Sequence, residues 1–570
     1  MIDTPGDEWW RRAVVYQIYP RSFSDSNGDG IGDLGGVLER VEYLAHLGVD
    51  AVWLSPVYAS PQADNGYDIS DYRAIDPDYG SLDDLAMLVE ALHSRGIRVV
   101  MDLVVNHTSD QHPWFADSRS ASDSPHRDWY WWRPPRPGRR PGDPGAEPNN
   151  WESFFSGPAW TWDPSADAYY LHLFSPHQPD LNWENPEVRH AVYEMMRWWL
   201  DRDIDGFRMD VINLISKDPH LPDGAVGVGS MFGNGFPYVA CGPRLHEFLA
   251  EMRREVFRGR DRTLLAVGEM PGVSIAEARL TTDPARRELD MVFQFDHMET
   301  DHEPGNKWRR RPHDPAALIE SLSAWQEGLA QHGWNSLYLG NHDQPRFVSR
   351  FGDPQRAWYA SATALATAVL LLRGTPFIFQ GDELGMTNAA FHSIGDLRDV
   401  ESLNRFAAEV AAGMSADEAF AAVVGAARDH ARTPMPWSPE GGFSRASPWI
   451  SMSPTTPWLN VALQIDDGGS VLNWYRRLIS LRRSEPVVVS GAFTRLPAPP
   501  GVFAYVRSDS STSLVVVANL TGHEHSIDLA AVTNPWRTWE TVLVNVGPPD
   551  AIERGQVGPW QAVVSKPLLS

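Results

Sequence analysis

The stretch VVMDLVVNH at residues 99–107 passes from a continuous apolar segment directly into polar side chains. Continuous apolar character is typical of strands that are buried on both faces, as in parallel sheets. Seven other segments have the same form, and the complete set of predicted strands is 14–20, 51–56, 99–105, 206–211, 264–269, 291–297, 335–341 and 376–382. Amphipathic helical patterns lie between them, for example at 82–95, 188–202 and 243–257. Eight such repeats predict an α/β fold, a (β/α)₈ TIM barrel, whose active site lies at the carboxyl ends of the strands.

The spacing of the predicted strands is interrupted once, after the third strand. Residues 108–182 are rich in Pro, Gly and Trp and show no helical period, so we expect a loop-rich inserted domain there. After about residue 486 the pattern changes to short alternating segments, which predicts an antiparallel β domain. The predicted organisation is a catalytic barrel at 1–107 and 183–485, an inserted domain B at 108–182 and a C-terminal β-sandwich domain at 486–570.

Composition and charge narrow the possible ligands. The chain has 570 residues, with 49 basic and 74 acidic side chains and a formal net charge of −25. Such a surface repels phosphate backbones and anionic membranes, so we expect neither nucleic acid nor a membrane as partner. The 24 tryptophans suit a neutral, polyhydroxylated ligand, such as a small oligosaccharide. The single cysteine gives no sign of an oxidising compartment, and we expect a cytoplasmic monomer.

Three carboxylates, Asp210, Glu269 and Asp343, follow the fourth, fifth and seventh predicted strands. Barrel geometry brings strand ends together, and glycoside cleavage needs one carboxylate to attack the anomeric carbon and one acid to protonate the leaving oxygen. Arg208 lies two residues before Asp210 on the same strand face and is expected to keep Asp210 ionised. We expect repulsion from the neighbouring carboxylates to raise the pKa of Glu269, which suits a proton donor.

Several motifs resemble the four sequence regions of the α-amylase superfamily, glycoside hydrolase family 13. These motifs are DLVVNH (102–107), GFRMDV (206–211), VGEM (267–270) and GNHD (340–343), with QPDLNW (178–183) similar to the extra region of the oligo-1,6-glucosidase branch. The resemblance covers nearly the whole chain. It implies that Asp210 is the nucleophile, that Glu269 is the general acid/base, and that Asp343 is a third acid that holds sugar hydroxyls.

The same resemblance implies a pocket that closes around a terminal, non-reducing glucose. Asp68 of NGYDISDY and Arg432 of ARTPMPW are expected to bind this glucose, with Tyr67 as the stacking platform. A carboxylate and a guanidinium together offer an acceptor and a donor fork to vicinal hydroxyls. The other predicted substrate contacts are His107, His342, Phe155, Phe174, Gln178 and Arg208, with Glu401 and, more weakly, Lys307 on the leaving-group side.

Val211 follows the predicted nucleophile directly, and it bears on the linkage that is cleaved. In the resembling family, valine here tends to accompany a preference for α-1,6 linkages. A β-branched side chain would narrow the leaving-group side, and an α-1,6 leaving group has an extra rotatable CH₂ with which to bend past it. We therefore expect an exo-acting retaining α-glucosidase that cleaves isomaltose faster than maltose.

The segment DSNGDGIGD (25–33) predicts a structural metal site. Asp25, Asn27, Asp29, the Ile31 carbonyl and Asp33 supply oxygens at alternate positions, like the first part of an EF-hand loop. Position 12 of that motif is Gly36 and not a bidentate Glu. The expected ion is Ca²⁺, with Mg²⁺ as the alternative.

Other activities on the same fold remain open at this point. They are an α-1,4 or broad α-glucosidase, a glucosyl transferase and a sucrose isomerase. The segment DHMETDHEPGN (296–306) stands where sucrose isomerases carry RLDRD, which argues against isomerisation. A transporter subunit without catalytic activity would need a membrane span, and the longest apolar stretch is far too short for one.

Overall fold

Eight parallel strands close into a barrel, as predicted. This computed structural model describes residues 8–227, 231–528 and 539–567. The barrel strands, here counted one to eight, are Val15–Ile18, Ala51–Leu54, Arg98–Val104, Gly206–Asp210, Leu265–Glu269, Met291–Phe293, Ser336–Leu337 and Thr375–Phe379. Neighbouring strands pair in this order, strand eight pairs with strand one, and the bridge between Val292 and Asn335 joins strands six and seven.

Helices surround the barrel and leave the carboxyl ends of its strands open. The three predicted helices are observed as Leu82–Ser94, Pro186–Leu200 and Leu245–Met252, the last continued by a π-helical turn at Arg253–Phe257. The other α-helices are Leu34–Glu39, Val41–Leu47, Pro113–Ser120, Phe236–Val239, Ile275–Thr281, Pro315–Gly328, Phe347–Phe351, Trp358–Leu370, Val400–Ala411, Ala416–Val424, Asp429–Arg432, Val461–Gln464, Val471–Ser484, Pro486–Ser490 and Ala551–Arg554. Short 3₁₀ helices lie at Trp9–Arg11, Pro20–Ser22, Arg127–Trp129, Ile212–Leu214, Asp296–Glu299, Asp382–Leu384 and Ile394–Asp396.

The segment 108–182 contains more regular structure than its sequence indicates. It holds the helix Pro113–Ser120 and a three-stranded antiparallel sheet of Trp132–Arg133, Ala168–Leu171 and Trp160–Asp163. The strands are short and carry aromatic pairs across the sheet, such as Trp162 opposite Tyr169. Aromatic cross-strand pairs stabilise such sheets, although runs this short show little periodicity in sequence.

Small two-stranded sheets and a C-terminal sheet complete the architecture. The two-stranded sheets pair Tyr58–Ala59 with Asp71–Ile75, Ala225–Val226 with Gly233–Asn234, and His302–Glu303 with Asn306–Arg310. The C-terminal antiparallel sheet has the order Ala492–Arg495, Val502–Ser508, Ser513–Asn519, Ala562–Pro567 and Trp539–Val544. A further pair, His525–Ser526 and Gln556–Val557, lies beside it.

The C-terminal sheet buries both faces because its side chains alternate. Phe503 and Tyr505 face the barrel core, where the Tyr505 hydroxyl donates to the Ala368 carbonyl at 3.1 Å. Ala504 and Val506 face the opposite way and belong to a separate small core. The outer limits of the predicted domains, at residues 1 and 570, lie outside the described residues, and the internal boundaries stay predictions.

Within the part of the chain that the structure describes, no helix combines the length and the apolar character needed to cross a bilayer.

Candidate active site

A cavity of about 240 Å³ lies at the carboxyl ends of the barrel strands. It is slightly smaller than the roughly 300–1,000 Å³ of pockets for drug-sized ligands, which suits a short substrate. Its wall combines carboxylates with aromatic rings. The lining residues are Asp64, Tyr67, His107, Phe154, Phe155, Phe174, Gln178, Asp210, Val211, Leu214, Phe236, Glu269, Pro271, Phe295, Lys307, Asp343, Gln344, Glu401 and Arg428. The three predicted catalytic acids are among them.

One guanidinium holds two of the three acids. Arg208 Nη1 donates to Asp210 Oδ1 and to Asp102 Oδ1, each at 2.8 Å, and Nη2 lies 2.8 Å from Glu269 Oε2. Arg208 and Asp102 are register partners on neighbouring barrel strands, and this pairing holds the Arg208 side chain in place. Because Asp210 and Glu269 both contact the guanidinium of Arg208, their carboxyls are held close together. Close carboxyls, about 5–5.5 Å apart, are typical of retaining glycosidases.

Burial raises the pKa of Asp210 well above its usual value. The nearby charge of Glu269 raises this pKa further, and Arg208 opposes both effects. Burial likewise raises the pKa of Asp102, to about 6. Arg208 lowers the pKa of Asp210, as expected, but it does not offset the effect of burial. The expectation for Glu269 stays a prediction.

Val211 has a strained backbone next to the predicted nucleophile. Its φ is +35°, in the left-handed region that a β-branched residue rarely adopts. This conformation turns its backbone N–H toward Glu269, to whose Oε2 it donates at 3.1 Å. The valine side chain lines the cavity and packs beside Leu214. Val211 thus helps to position Glu269 and narrows the site.

Asp343, the third acid, lies among cations. Arg432 Nη2 donates to its Oδ1 at 2.8 Å, Arg428 Nη1 lies 3.3 Å from the same oxygen, and His342 Nε2 lies 3.3 Å from Oδ2. Burial opposes ionisation of Asp343, but the charges of Arg428 and Arg432 outweigh burial and hold its pKa far below the usual range. Burial also lowers the pKa of His342, to about 3, so the ring is neutral near pH 7 and the arginines supply the charge.

Tyr67 and the two predicted histidines form one packed group. Tyr67 stacks on His342 with ring centroids 5.1 Å apart, and its hydroxyl donates to Asp102 Oδ2 at 3.0 Å. His107 Nε2 lies 3.0 Å from the Tyr67 carbonyl, and burial lowers the pKa of His107 to about 4. His107 and Tyr67 line the cavity, whereas His342 lies buried behind Tyr67.

The predicted pair Asp68–Arg432 does not form. Asp68 is fully buried, and its oxygens accept hydrogen bonds from the backbone N–H groups of Ala63 and Asp64 and from the Ser60 hydroxyl. It is not part of the cavity wall. Arg432 is buried behind Asp343, where its Nε donates to the His342 carbonyl. The assignment of Asp68 to the glucose pocket is therefore wrong for this structure, and Arg432 reaches the site only through Asp343.

Asp64 and Arg428 form the ion pair at the cavity wall. Arg428 Nη2 donates to Asp64 Oδ1 at 2.9 Å. The turn at Asn65 and Gly66, with φ of +50° and +101°, leaves Asp64 facing the cavity while Asp68 caps the inside of the turn. Each of these residues lies four positions before the one that the sequence suggested. Sequence spacing alone does not show which acid of DNGYD lies inside the turn.

The inserted segment supplies part of the wall, as predicted. Phe155, Phe174 and Gln178 all line the cavity, and Gln178 Nε2 donates to Asp64 Oδ2 at 3.1 Å. The Phe155 ring lies 5.0 Å from the Arg428 guanidinium carbon. The predicted leaving-group residues Glu401 and Lys307 also line the cavity and form an ion pair with each other. Their contacts with substrate stay predictions.

Several wall residues besides Asp64 and Arg428 are not predicted from the sequence. They are Phe154, Leu214, Phe236, Pro271, Phe295 and Gln344. Gln344 follows Asp343 directly and Phe154 precedes Phe155, so adjacency was the available signal. Phe236 begins the helix Phe236–Val239 after the fourth strand and Pro271 follows the fifth strand, and only the closed barrel brings them together.

The loop at 25–33 is held by its own backbone. Asp25 accepts from the N–H groups of Gly28 and Gly30, and Asp29 Oδ1 accepts from Ile31 N at 2.8 Å. The Asp33 carboxylate accepts from Ser26 and caps the helix Leu34–Glu39, while Asn27 Oδ1 accepts from Asp29 N. Within the described ranges, no group of three or more His, Cys, Asp or Glu side chains is arranged to hold a metal ion.

Comparison with known proteins agrees with this geometry. The family model described as the alpha-amylase catalytic domain matches residues 17–491. The chain belongs to the α-amylase family. It is a glycoside hydrolase, and the retaining mechanism is general in this family.

Relatives that cover almost the whole chain carry more specific names. An oligo-1,6-glucosidase of Parageobacillus thermoglucosidasius is 50% identical, over 98% of this chain and 99% of that protein. A trehalose-6-phosphate hydrolase of Bacillus subtilis is 44% identical over 99% of both. Among solved structures, the trehalulose synthase of Pseudomonas mesoacidophila has a TM-score of 0.90 at 40% identity, covering 99% of this chain and 100% of that one.

Proposed function

We propose that this glycoside hydrolase is an exo-acting α-glucosidase that removes glucose from the non-reducing end of short α-1,6-linked substrates such as isomaltose. The observation that carries the proposal is the enclosure of the three acids in a cavity of about 240 Å³ whose wall contains the Asp64–Arg428 ion pair. A paired acceptor and donor fork suits the vicinal hydroxyls of one terminal glucose. A long open groove would suit an enzyme that cuts within chains.

The retaining chemistry assigns a role to each acid. Asp210 attacks the anomeric carbon while Glu269 gives its proton to the glycosidic oxygen, and the leaving sugar departs. Glu269 then takes a proton from water as that water attacks the glucosyl–Asp210 ester, which releases α-glucose and restores both carboxyls. Asp343, kept ionised by its arginines, accepts hydrogen bonds from sugar hydroxyls and favours the positive charge that develops on the ring.

Support for the α-1,6 linkage comes from two sources. Relatives at 46–50% identity are named oligo-1,6-glucosidases. Val211 narrows the cavity beside the nucleophile, which disfavours a ring attached directly through an α-1,4 oxygen. A phosphorylated leaving group is less favoured, because the Lys307 ammonium is already paired with Glu401. A phosphate there would meet a carboxylate as well as a cation.

Chromatography of the products from isomaltose, maltose, sucrose and trehalose 6-phosphate tests the linkage. We expect isomaltose to give the largest kcat/KM and glucose as the main product. An equal or larger kcat/KM for maltose would contradict the proposal and indicate a broad α-glucosidase. An equal or larger kcat/KM for trehalose 6-phosphate would contradict it and indicate a phosphodisaccharide hydrolase. Isomerised sucrose would indicate a synthase. At high sugar concentration we propose some transglycosylation, because sugar and water compete for the same glucosyl–enzyme ester.

We also propose that loop 25–33 binds a structural Ca²⁺, with Mg²⁺ as the alternative. The support is its donor chemistry, since hard oxygen donors at alternate positions are those that Ca²⁺ prefers. Asp25, Asn27, Asp29, Asp33 and the Ile31 carbonyl would hold the ion. A cytoplasmic monomer is proposed on the single cysteine and on a cavity formed by one chain. Metal analysis and analytical ultracentrifugation test these two points.

A further inference from the structure

A second cleft lies away from the catalytic cavity, between the barrel and the C-terminal sheet. Its volume is about 720 Å³, and none of its lining residues lines the catalytic cavity. The barrel side contributes Asp353 and Asn388, and the C-terminal region contributes Gly522 and Trp560. We call it the Trp458 cleft after the exposed tryptophan in its lining.

Trp458 is the feature that makes the cleft unusual. Its side chain is 51% exposed, and it is the one exposed tryptophan in the part of the chain that the structure describes. The ring packs edge-to-face on Trp358, with centroids 5.4 Å apart and an interplanar angle of 88°. Trp358 is itself fixed, because its Nε1 donates to the Gly385 carbonyl at 2.7 Å. The exposed ring is thus a rigid, apolar platform in contact with solvent.

Polar groups line the same cleft. Trp560 is only 6% exposed, and its Nε1 has no hydrogen-bond partner among the described residues. Asn388 uses its Oδ1 to accept from Arg346 N at 2.8 Å, which leaves its amide nitrogen available. Asp353 uses Oδ1 to accept from Arg356 N and leaves Oδ2 available. Buried polar groups are normally paired, so the unpaired Trp560 donor beside the cleft is not explained by the protein's own contacts, whereas Asn388 and Asp353 offer polar atoms along its wall.

We propose that the Trp458 cleft is a second, non-catalytic binding site for a short neutral α-glucoside. A sugar ring places its C–H face on an aromatic ring and its hydroxyls on donors and acceptors at the edge, and the cleft offers both kinds of contact. No lysine or arginine lines it, so it offers nothing to a phosphate or a carboxylate. The class of sugar rests on the proposed function.

The test uses α-cyclodextrin, a neutral ring of α-1,4-linked glucose with no non-reducing end to enter the catalytic cavity. We expect it to bind the wild-type protein saturably in calorimetry, with millimolar affinity and a change in tryptophan fluorescence. Trp458→Ala should weaken binding about tenfold or more, because the stacking surface is lost. Asn388→Ala should weaken it less. Leu463→Ala, which removes another exposed apolar side chain, is the matched control and should bind as wild type does.

The outcomes separate this proposal from the proposed function. Trp458→Ala should hydrolyse isomaltose with unchanged kcat and KM, since Trp458 does not line the catalytic cavity. Absence of saturable binding, or equal binding by wild type and Trp458→Ala, would overturn the second site even if hydrolysis proceeds. If ultracentrifugation shows that wild type self-associates through Trp458 and binds no sugar, the cleft is a protein contact and the proposal is also overturned. If the wild-type protein does not hydrolyse isomaltose, the proposed function is refuted instead.

Discussion

Asp64→Asn and Asp68→Asn test which carboxylate of the DNGYD turn meets the terminal glucose. Asp64 lines the cavity and accepts a hydrogen bond from Arg428 Nη2 at 2.9 Å. Asp68 is fully buried and accepts hydrogen bonds from backbone N–H groups. A hydrogen bond that involves a charged group contributes about 1.5–3 kcal/mol. Loss of one such bond to the substrate therefore lowers kcat/KM roughly 10- to 150-fold.

Initial-rate kinetics on isomaltose, with circular dichroism as a check on folding, measure this difference. We expect Asp64→Asn to lose activity by that amount, and Asp68→Asn to keep kcat/KM within about threefold of wild type while its melting temperature changes. Arg428→Lys should also lose activity, because an ammonium cannot replace the donor fork that joins Asp64 and Asp343. The reasoning is refuted if folded Asp68→Asn loses more kcat/KM than folded Asp64→Asn.

The remaining predictions concern the acids, the linkage, the pH profile and the metal. Asp210→Asn or Glu269→Gln should lower kcat on isomaltose by more than about a thousandfold in a folded protein, and a variant that keeps a tenth of kcat removes that residue from the mechanism. Proton NMR of fresh product should show α-glucose first; initial β-glucose contradicts retention. Val211→Ala should raise maltose activity relative to isomaltose, by an amount that corresponds to about 1–3 kcal/mol, and an unchanged ratio excludes Val211 as the linkage determinant. The Glu269 charge raises the pKa of Asp210, so Glu269→Gln should lower that pKa and move the acid limb of the kcat/KM profile to lower pH. The profile is measured on a nitrophenyl glucoside, whose leaving group needs no proton, and an acid limb at unchanged pH contradicts the effect of Glu269 on Asp210. Chelation or Asp29→Ala should lower the melting temperature more than it changes kcat, and protein purified without chelator that contains neither Ca²⁺ nor Mg²⁺ contradicts the metal site.

The amino-acid sequence predicts the barrel, the three acids that line the cavity and several wall residues from the inserted segment. Buried parallel strands must be apolar along their whole length, so eight such runs are visible without any knowledge of contacts. Polar residues at the strand ends follow from the same pattern, which is why Asp210, Glu269 and Asp343 were found together. The short strands of the segment 108–182 were missed because two to four residues are too few to establish a period.

Which of the charged side chains line the cavity depends on the tertiary structure. Asp64 and Asp68 are four residues apart, as are Arg428 and Arg432, and local sequence offers no reason to prefer either member. The choice depends on a turn with positive φ at Asn65, and on the packing of the helix Asp429–Arg432 against Asp343. The contacts that decide it join segments far apart in the sequence: Arg432 and Asp343 are 89 positions apart, and Arg428 and Asp64 are 364 positions apart. The spacing of apolar residues shows which face of a segment packs on the core. The orientation of one charged side chain depends instead on which distant charge neutralises it.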